Sequence, residues 1–436
     1  MRRLSSVLFW SVIAAAFIGP GTVTTAASAG AAHRYALLWA LGFSTVACLV
    51  LQEAAARIAA VSGHDLAEAL SLRFRHGWRR ATLLVLVLGA VVLGCAAYQA
   101  GNILGAVAGA SLRLDVGRAP CTLAIGAVAA LLLAYGGVRT VARLLGMLVA
   151  VMGVAFLVTA WRLAPDPDAL LRGALLPRLP AGSGWLAIGL VGTTVVPYNL
   201  FLGSGLARGE RLGDVRFGLA VAILLGGAIS MGVVVVGAAI EGGFAFSTLS
   251  GVLERRLGPG ASWLFAVGLF AAGLSSAVTA PLAAAVTARG LLGAESDPRW
   301  GERSARFRSV WGAVLLVGVG FGLADVQPVP AIVVAQALNG ILLPVVAIYL
   351  LLAVNDRRLL GDRLNGALAN TMLVAVVLAT FALGLRNVAW ALSATFGLVP
   401  PGELRVLWWS AAIALLAAGP VGRALRAARG QRRRAT

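Results

Sequence analysis

The chain has 436 residues, of which 60% are hydrophobic and only 12% charged, with a mean hydropathy of +0.90. That balance excludes a soluble domain and places the chain among polytopic membrane proteins. Its formal net charge of +19 comes from arginine, since no lysine occurs, and the placement of those arginines argues against a nucleic-acid partner.

A spanning helix needs ~20 apolar residues. Twelve such runs lie near 7–33, 36–61, 81–110, 118–136, 143–163, 184–207, 216–241, 260–290, 308–323, 328–353, 365–385 and 404–424. With the N-terminus in the cytoplasm, 25 arginines fall in cytoplasmic segments and 10 outside, and Arg57 lies within a run. This is the positive-inside asymmetry, so both termini are expected in the cytoplasm, in a bacterial-type inner or plasma membrane. Residues 1–29 imitate a secretory signal, with Arg2, Arg3 and small residues near Ala26 and Ala29. They are read as the first span because the remaining chain is itself polytopic and continues the topology.

The first run is interrupted within FIGPGTVTTAASAG, Phe17 to Gly30. Gly19-Pro20-Gly21 removes a backbone donor and disfavours helix, so the run is predicted to break there and resume from about Thr22. Unpaired backbone at that depth is tolerated where it is buried in protein or lines a cavity, which makes the break a candidate binding site. It contains no acid, and offers amides, carbonyls and the hydroxyls of Thr22, Thr24, Thr25 and Ser28.

In the second run Glu53 and Arg57 stand four apart, a spacing that neutralises opposite charges on one face. Structural pairing is expected, with a proton relay as the alternative. His64 reads as interfacial. Gln99 and Asn102 share a face of the third run beside Gly101 and Gly105, a pattern of interhelical hydrogen bonding or of a lined path. Cys48, Cys95 and Cys121 fall in apolar runs without metal-ligand spacing and read as packing.

The sixth run contains a second irregularity, Gly192-Thr193-Thr194-Val195-Val196-Pro197-Tyr198-Asn199. The first run heads outward and the sixth inward, so five helices followed by five of opposite direction set the two breaks facing one another. That pattern predicts an inverted-repeat secondary transporter with its site at the midplane. The repeats are expected over 1–163 and 184–354, followed by two accessory helices over 365–424 and a basic tail over 425–436. In the eighth run, Ser275, Ser276 and Thr279 suit a coupling cation such as sodium, with back-bonding along their own helix as the alternative. Gln336 and Asn339 in the tenth run are placed to close the site, and titration of Glu53 or Asp325 during transport is left open.

The order GPGTVTTAASAG, LQEAAARIAAVSGHDLAEAL, VGTTVVPYNLFLGSGL, FAVGLFAAGLSSAVTAPLA and NDRRLLGDRLNG resembles the Nramp family of proton-coupled divalent metal transporters. The resemblance spans the first to the eleventh run and implies an all-α LeuT-type fold of two inverted five-helix repeats plus two accessory helices. It also exposes departures. Where the family has Asp-Pro-Gly-Asn, this chain has Gly19-Pro20-Gly21-Thr22, and where the family has Met-Pro-His-Asn, it has Val196-Pro197-Tyr198-Asn199. The family's acids on the third helix correspond to Gln99 and Asn102.

A dehydrated divalent cation ordinarily calls for carboxylates, and a resumed helix presents free N–H groups and a positive dipole end. The expectation drawn from these departures is a carrier of a small inorganic anion, with bicarbonate as the specific cargo and sodium or a proton as coupling ion. The expected substrate site is Gly19, Pro20, Gly21, Thr22, Thr25, Thr194, Val196, Tyr198, Asn199 and Gln336. No metal site, cofactor or enzymatic activity is expected. The alternatives are a magnesium or manganese transporter that holds its ion with neutral oxygens, and a membrane receptor or scaffold without transport.

Overall fold

The computed structural model describes residues 18–135, 138–293, 297–324, 326–395 and Trp408. The start of the first run, Asp325, the twelfth run apart from Trp408, and the basic tail lie outside the described residues. Among those described, every regular element is helical. In chain order they are α1 (Pro20–His33), α2 (Leu38–Ser62), α3 (Leu66–Arg73), α4 (Gly77–Ser111), α5 (Arg118–Tyr135), α6 (Val138–Arg162), α7 (Pro167–Leu175) and α8 (Gly184–Thr194). They continue with α9 (Pro197–Leu206), α10 (Leu212–Gly237), α11 (Phe246–Leu257), α12 (Gly260–Leu292), α13 (Ala305–Leu323), α14 (Pro328–Ala353), α15 (Arg357–Leu360) and α16 (Ala367–Thr395).

Ten stretches among the described residues are long and apolar enough to cross a bilayer, α8 and α9 together forming one of them. The ends of the helices follow from their residues. Pro20 starts α1 because its missing N–H is one that a first turn leaves unbonded anyway, and Pro197 starts α9 in the same way. Gly63 closes α2 in the left-handed region at φ 73°, and Asp65 then caps α3 by accepting from the Glu68 N–H while Glu68 reaches back to the Asp65 N–H. By contrast α12 runs straight through Pro281, and α4 widens into a π turn over Leu84–Leu88.

Helix α1 and the interrupted α8–α9 pair occupy the middle of the bundle. Residues Pro20 to Gly30 of α1 are all buried, and 89% of the most apolar 18 residues of the α8–α9 span are buried, against 28% for α5. Broken backbone thus sits inside protein, where lipid cannot strand its polar groups. The bundle closes on glycines, which let helices approach to backbone contact. A Cβ on Gly192 of α8 would lie 2.0 Å from the Gln336 carbonyl oxygen on α14, and one on Gly340 of α14 would lie 2.5 Å from the Ile188 carbonyl oxygen. The same reciprocity joins α1 to α10, where a Cβ on Gly30 would meet the Val234 carbonyl oxygen at 2.1 Å and one on Gly237 the Ala27 carbonyl oxygen at 2.5 Å. It joins α4 to α12 through Gly109 and Gly273.

Candidate functional site

The two breaks meet. Thr22 Oγ1 in the first turn of α1 and Thr193 Oγ1 in the last turn of α8 share a 2.8 Å hydrogen bond between buried hydroxyls 171 residues apart. Pro197 has no N–H to offer the Thr193 carbonyl, so that oxygen is freed at the end of α8. Gln336 of α14 covers the start of α1: a Cβ on Gly21 would fall 2.2 Å from Gln336 Nε2. Behind them, Gly105 of α4 receives the Pro20 ring, and Gly94 receives the Asn339 amide.

The structure adds a residue that the sequence reading missed. Tyr98 of α4 is fully buried, and its hydroxyl would stand 3.2 Å from a Cβ on Gly19, occupying the space that a side chain at that position needs. Its ring meets that of Tyr198 edge to face, with centroids 5.5 Å apart and planes at 76°. The only sequence signal was a phenol among small apolar residues one position before Gln99.

Of the predicted site residues, Gly19, Pro20, Gly21, Thr22, Tyr198 and Gln336 gather around the break, with Ser276 Oγ 3.5 Å from a Cβ on Gly19. Val196 is buried as the N-cap of α9, and Asn199 is buried in that helix's first turn with its Nδ2 unpaired. Others turn away. Thr194 Oγ1 donates back to the Leu190 carbonyl at 2.9 Å, whereas Thr279 Oγ1, 3.4 Å from the Ser276 carbonyl, stays beside the Tyr198 hydroxyl. Thr25 lays its methyl against Gly189, and Ser275 is only partly buried. Gln99 and Asn102 form hydrogen bonds inside the bundle, Gln99 Nε2 donating to the Ala277 carbonyl at 2.9 Å and Asn102 Nδ2 to Gln99 Oε1 at 3.3 Å.

In and around the first turns of α1, the hydroxyls of Thr24, Thr25 and Ser28, Gln336 Oε1 and Asn339 Oδ1 are buried without hydrogen-bond partners, while the Tyr98 hydroxyl lies toward Thr193 and that of Tyr198 toward Thr279. Such an atom costs about 1–3 kcal/mol when left unpaired, so the region is built to meet something polar. Among the described residues no three His, Cys, Asp or Glu side chains come together, and the donors here are neutral oxygens and amides.

A helix that starts at Pro20, the interrupted α8–α9 pair, a polar patch between them and ten apolar spans among the described residues define an all-α membrane protein of the LeuT-type fold. Similarity to known proteins narrows that class. The model of the Natural resistance-associated macrophage protein-like family, Nramp, matches residues 11–389, and the chain belongs to that family. It is 30% identical over 412 residues to a divalent metal cation transporter MntH of Verminephrobacter eiseniae, covering 90% of this chain and 89% of that protein. It is 31% identical over 314 residues to the protein of the same name from Deinococcus radiodurans, covering 67% and 71%. Its fold matches the Eremococcus coleocola manganese transporter at a TM-score of 0.70 and 20% identity, covering 100% of this chain and 96% of the other. Mhp1, a nucleobase-cation-symport-1 family transporter, matches at a TM-score of 0.60 and 17% identity, covering 96% and 92%.

These relatives overturn the expectation of a small inorganic anion, bicarbonate included, since those matching most of the chain are named for divalent metal cations. The physical reason lies in how the helix ends meet. The anion reading weighed the N-terminal, positive ends of α1 and α9, but the carbonyl end of α8 faces the same point and brings the opposite partial charge.

Proposed function

We propose that this chain is a multi-pass plasma-membrane transporter that moves a divalent metal cation, held partly hydrated among neutral oxygens where the two broken helices meet. The observation that supports this is the set of oxygens converging on the break: the Thr22 and Thr193 hydroxyls, the freed Thr193 carbonyl, Gln336 Oε1 and the phenols of Tyr98 and Tyr198. A hard cation accepts such ligands while keeping several waters, which suits magnesium and manganese. With Val196 at the position where the family has methionine, the site offers no soft sulfur ligand, and this removes the preference for softer transition metals.

The repeats run over 1–163 and 184–354, so that rocking of one against the other exposes the break to either side. Both termini lie in the cytoplasm, as the arginine asymmetry requires. The protein carries its cargo without chemical change and is not an enzyme. Uptake of manganese and of magnesium into proteoliposomes tests the reading: saturable flux above empty vesicles, reduced by Thr22→Ala, is expected. Absence of flux for both ions, with no saturable heat on titration of either, overturns it.

A further inference from the structure

Away from the break, a cavity of about 290 Å³ opens between α2, α10 and α16. At ~30 Å³ for each water in the liquid, this is room for roughly ten waters, far more than a packing defect. Its lining is divided. Glu53, Arg57 and Arg216 are its charged residues, and Leu49, Val50 and Met372 belong to an apolar wall.

The charges do not cancel. Arg216 donates from Nε at 2.9 Å and from Nη2 at 2.7 Å to Glu53 Oε1, and Arg57 Nε stands 3.3 Å from that same oxygen. One carboxylate therefore faces two guanidiniums and leaves a net positive charge. Arg57 is held in place from the other side, donating to the Arg363 carbonyl at 3.0 Å and to Asn365 Oδ1. Arg57 is 6% exposed and structural, whereas the Arg216 side chain is 54% exposed and faces the mouth.

The depth fits a lipid headgroup. Arg57 lies five residues before the end of α2 at Ser62, and Arg216 four residues after the start of α10 at Leu212, each within about 8 Å of a helix end. This is also the arginine-rich end of the bundle, where Arg73 pairs with Asp356 and Arg208 stands 3.7 Å from Glu68. By the arginine count it faces the cytoplasm, where the leaflet is anionic.

We propose that this cavity binds one anionic phospholipid, its phosphate against Arg216 and Arg57 and an acyl chain along Leu49, Val50 and Met372. A basic pocket between spanning helices, continuous with an apolar wall open to the bilayer, matches the two halves of such a molecule. The proposal is independent of the cargo, because none of these residues lies at the break.

The test uses the full chain in detergent, titrated with mixed micelles of phosphatidylglycerol or of phosphatidylcholine, with bound lipid counted by native mass spectrometry. Phosphatidylglycerol is expected to be retained and phosphatidylcholine lost. Arg216→Gln should weaken retention roughly fivefold, the factor that one basic side chain near an anionic surface supplies. Met372→Trp, which fills the apolar wall, should weaken phosphatidylglycerol without disturbing the ion pairs. Equal retention of the two lipids, or unchanged retention in Arg216→Gln, overturns the proposal. So does protection of the chain by inorganic phosphate alone to the same extent, which would make the site one for a free anion.

Discussion

The crossing of α8 and α14 can be tested by adding one carbon. In Gly192→Ala the new Cβ would stand 2.0 Å from the Gln336 carbonyl oxygen and 2.5 Å from the Gly340 nitrogen, where ordinary contact begins at 3.4 Å, so the helices must part by about 1.4 Å. Both atoms belong to backbone and cannot swing aside. Overpacking of this kind costs up to ~3 kcal/mol, and alanine recovers ~1 kcal/mol of helix propensity, leaving a net loss of about 2 kcal/mol. Gly205→Ala in α9 is the matched control, because nothing lies within 4 Å of its Cβ position and only the propensity gain applies. Denaturant unfolding in detergent should therefore separate the two variants by ~3 kcal/mol with opposite signs. Gly192→Ala should also lose cation uptake, since Gln336 is carried off Gly21. A Gly192→Ala protein as stable and as active as Gly205→Ala would refute the argument that these helices touch through backbone.

Individual contacts carry further outcomes. Thr193→Val removes one side of the hydroxyl pair with Thr22 and should cost ~1 kcal/mol of stability while raising the manganese concentration needed for half-maximal uptake, measured in proteoliposomes. Tyr98→Phe deletes a buried hydroxyl that lies beside Thr193, so thermal unfolding should report a loss of no more than ~1 kcal/mol while uptake falls. Arg73→Gln breaks a partly buried pair with Asp356, each side chain 17% exposed, and a double-mutant cycle with Asp356→Asn should yield a coupling of about 1–2 kcal/mol. Burial holds the Asp65 carboxyl above its ordinary range, so the folded chain keeps a proton that the unfolded chain releases. Its contribution is then fully present below the ordinary aspartate pKa of ~3.9 and is lost as pH rises through the higher folded value. Asp65→Asn keeps an acceptor for the Glu68 N–H and should abolish that part of the slope in pH-dependent unfolding.

The helix start at Pro20 and the break between α8 and α9 were legible because a proline inside an apolar run rarely continues a straight spanning helix. Gln336 was legible too, as an amide that must find a partner inside a spanning helix. Tyr98 was not, since its approach to Gly19 depends on how α4 crosses α1, which no spacing encodes. Thr194 misled because a hydroxyl on a membrane helix chooses by rotamer between the cavity and its own preceding turn, and it chose the turn. The pairing of Glu53 with Arg57 was readable at four residues, but the arrival of Arg216 from 163 residues away was not. The cargo was misjudged because a dipole argument made on the two helix N-termini left out the C-terminal end of α8, and only tertiary structure brings that end to α1.

Where glycine meets backbone in both directions, neither helix can slide or tilt without collision, so α1 with α10, α4 with α12, and α8 with α14 each behave as a welded pair. Whatever conformational cycle lets cargo in on one face and out on the other must hinge along the softer seams between these pairs. The Thr22–Thr193 hydroxyl bond, which bridges the α1 pair and the α8 pair, lies on such a seam, so under the proposed function the latch between the pairs is made of the same groups proposed to meet the ion.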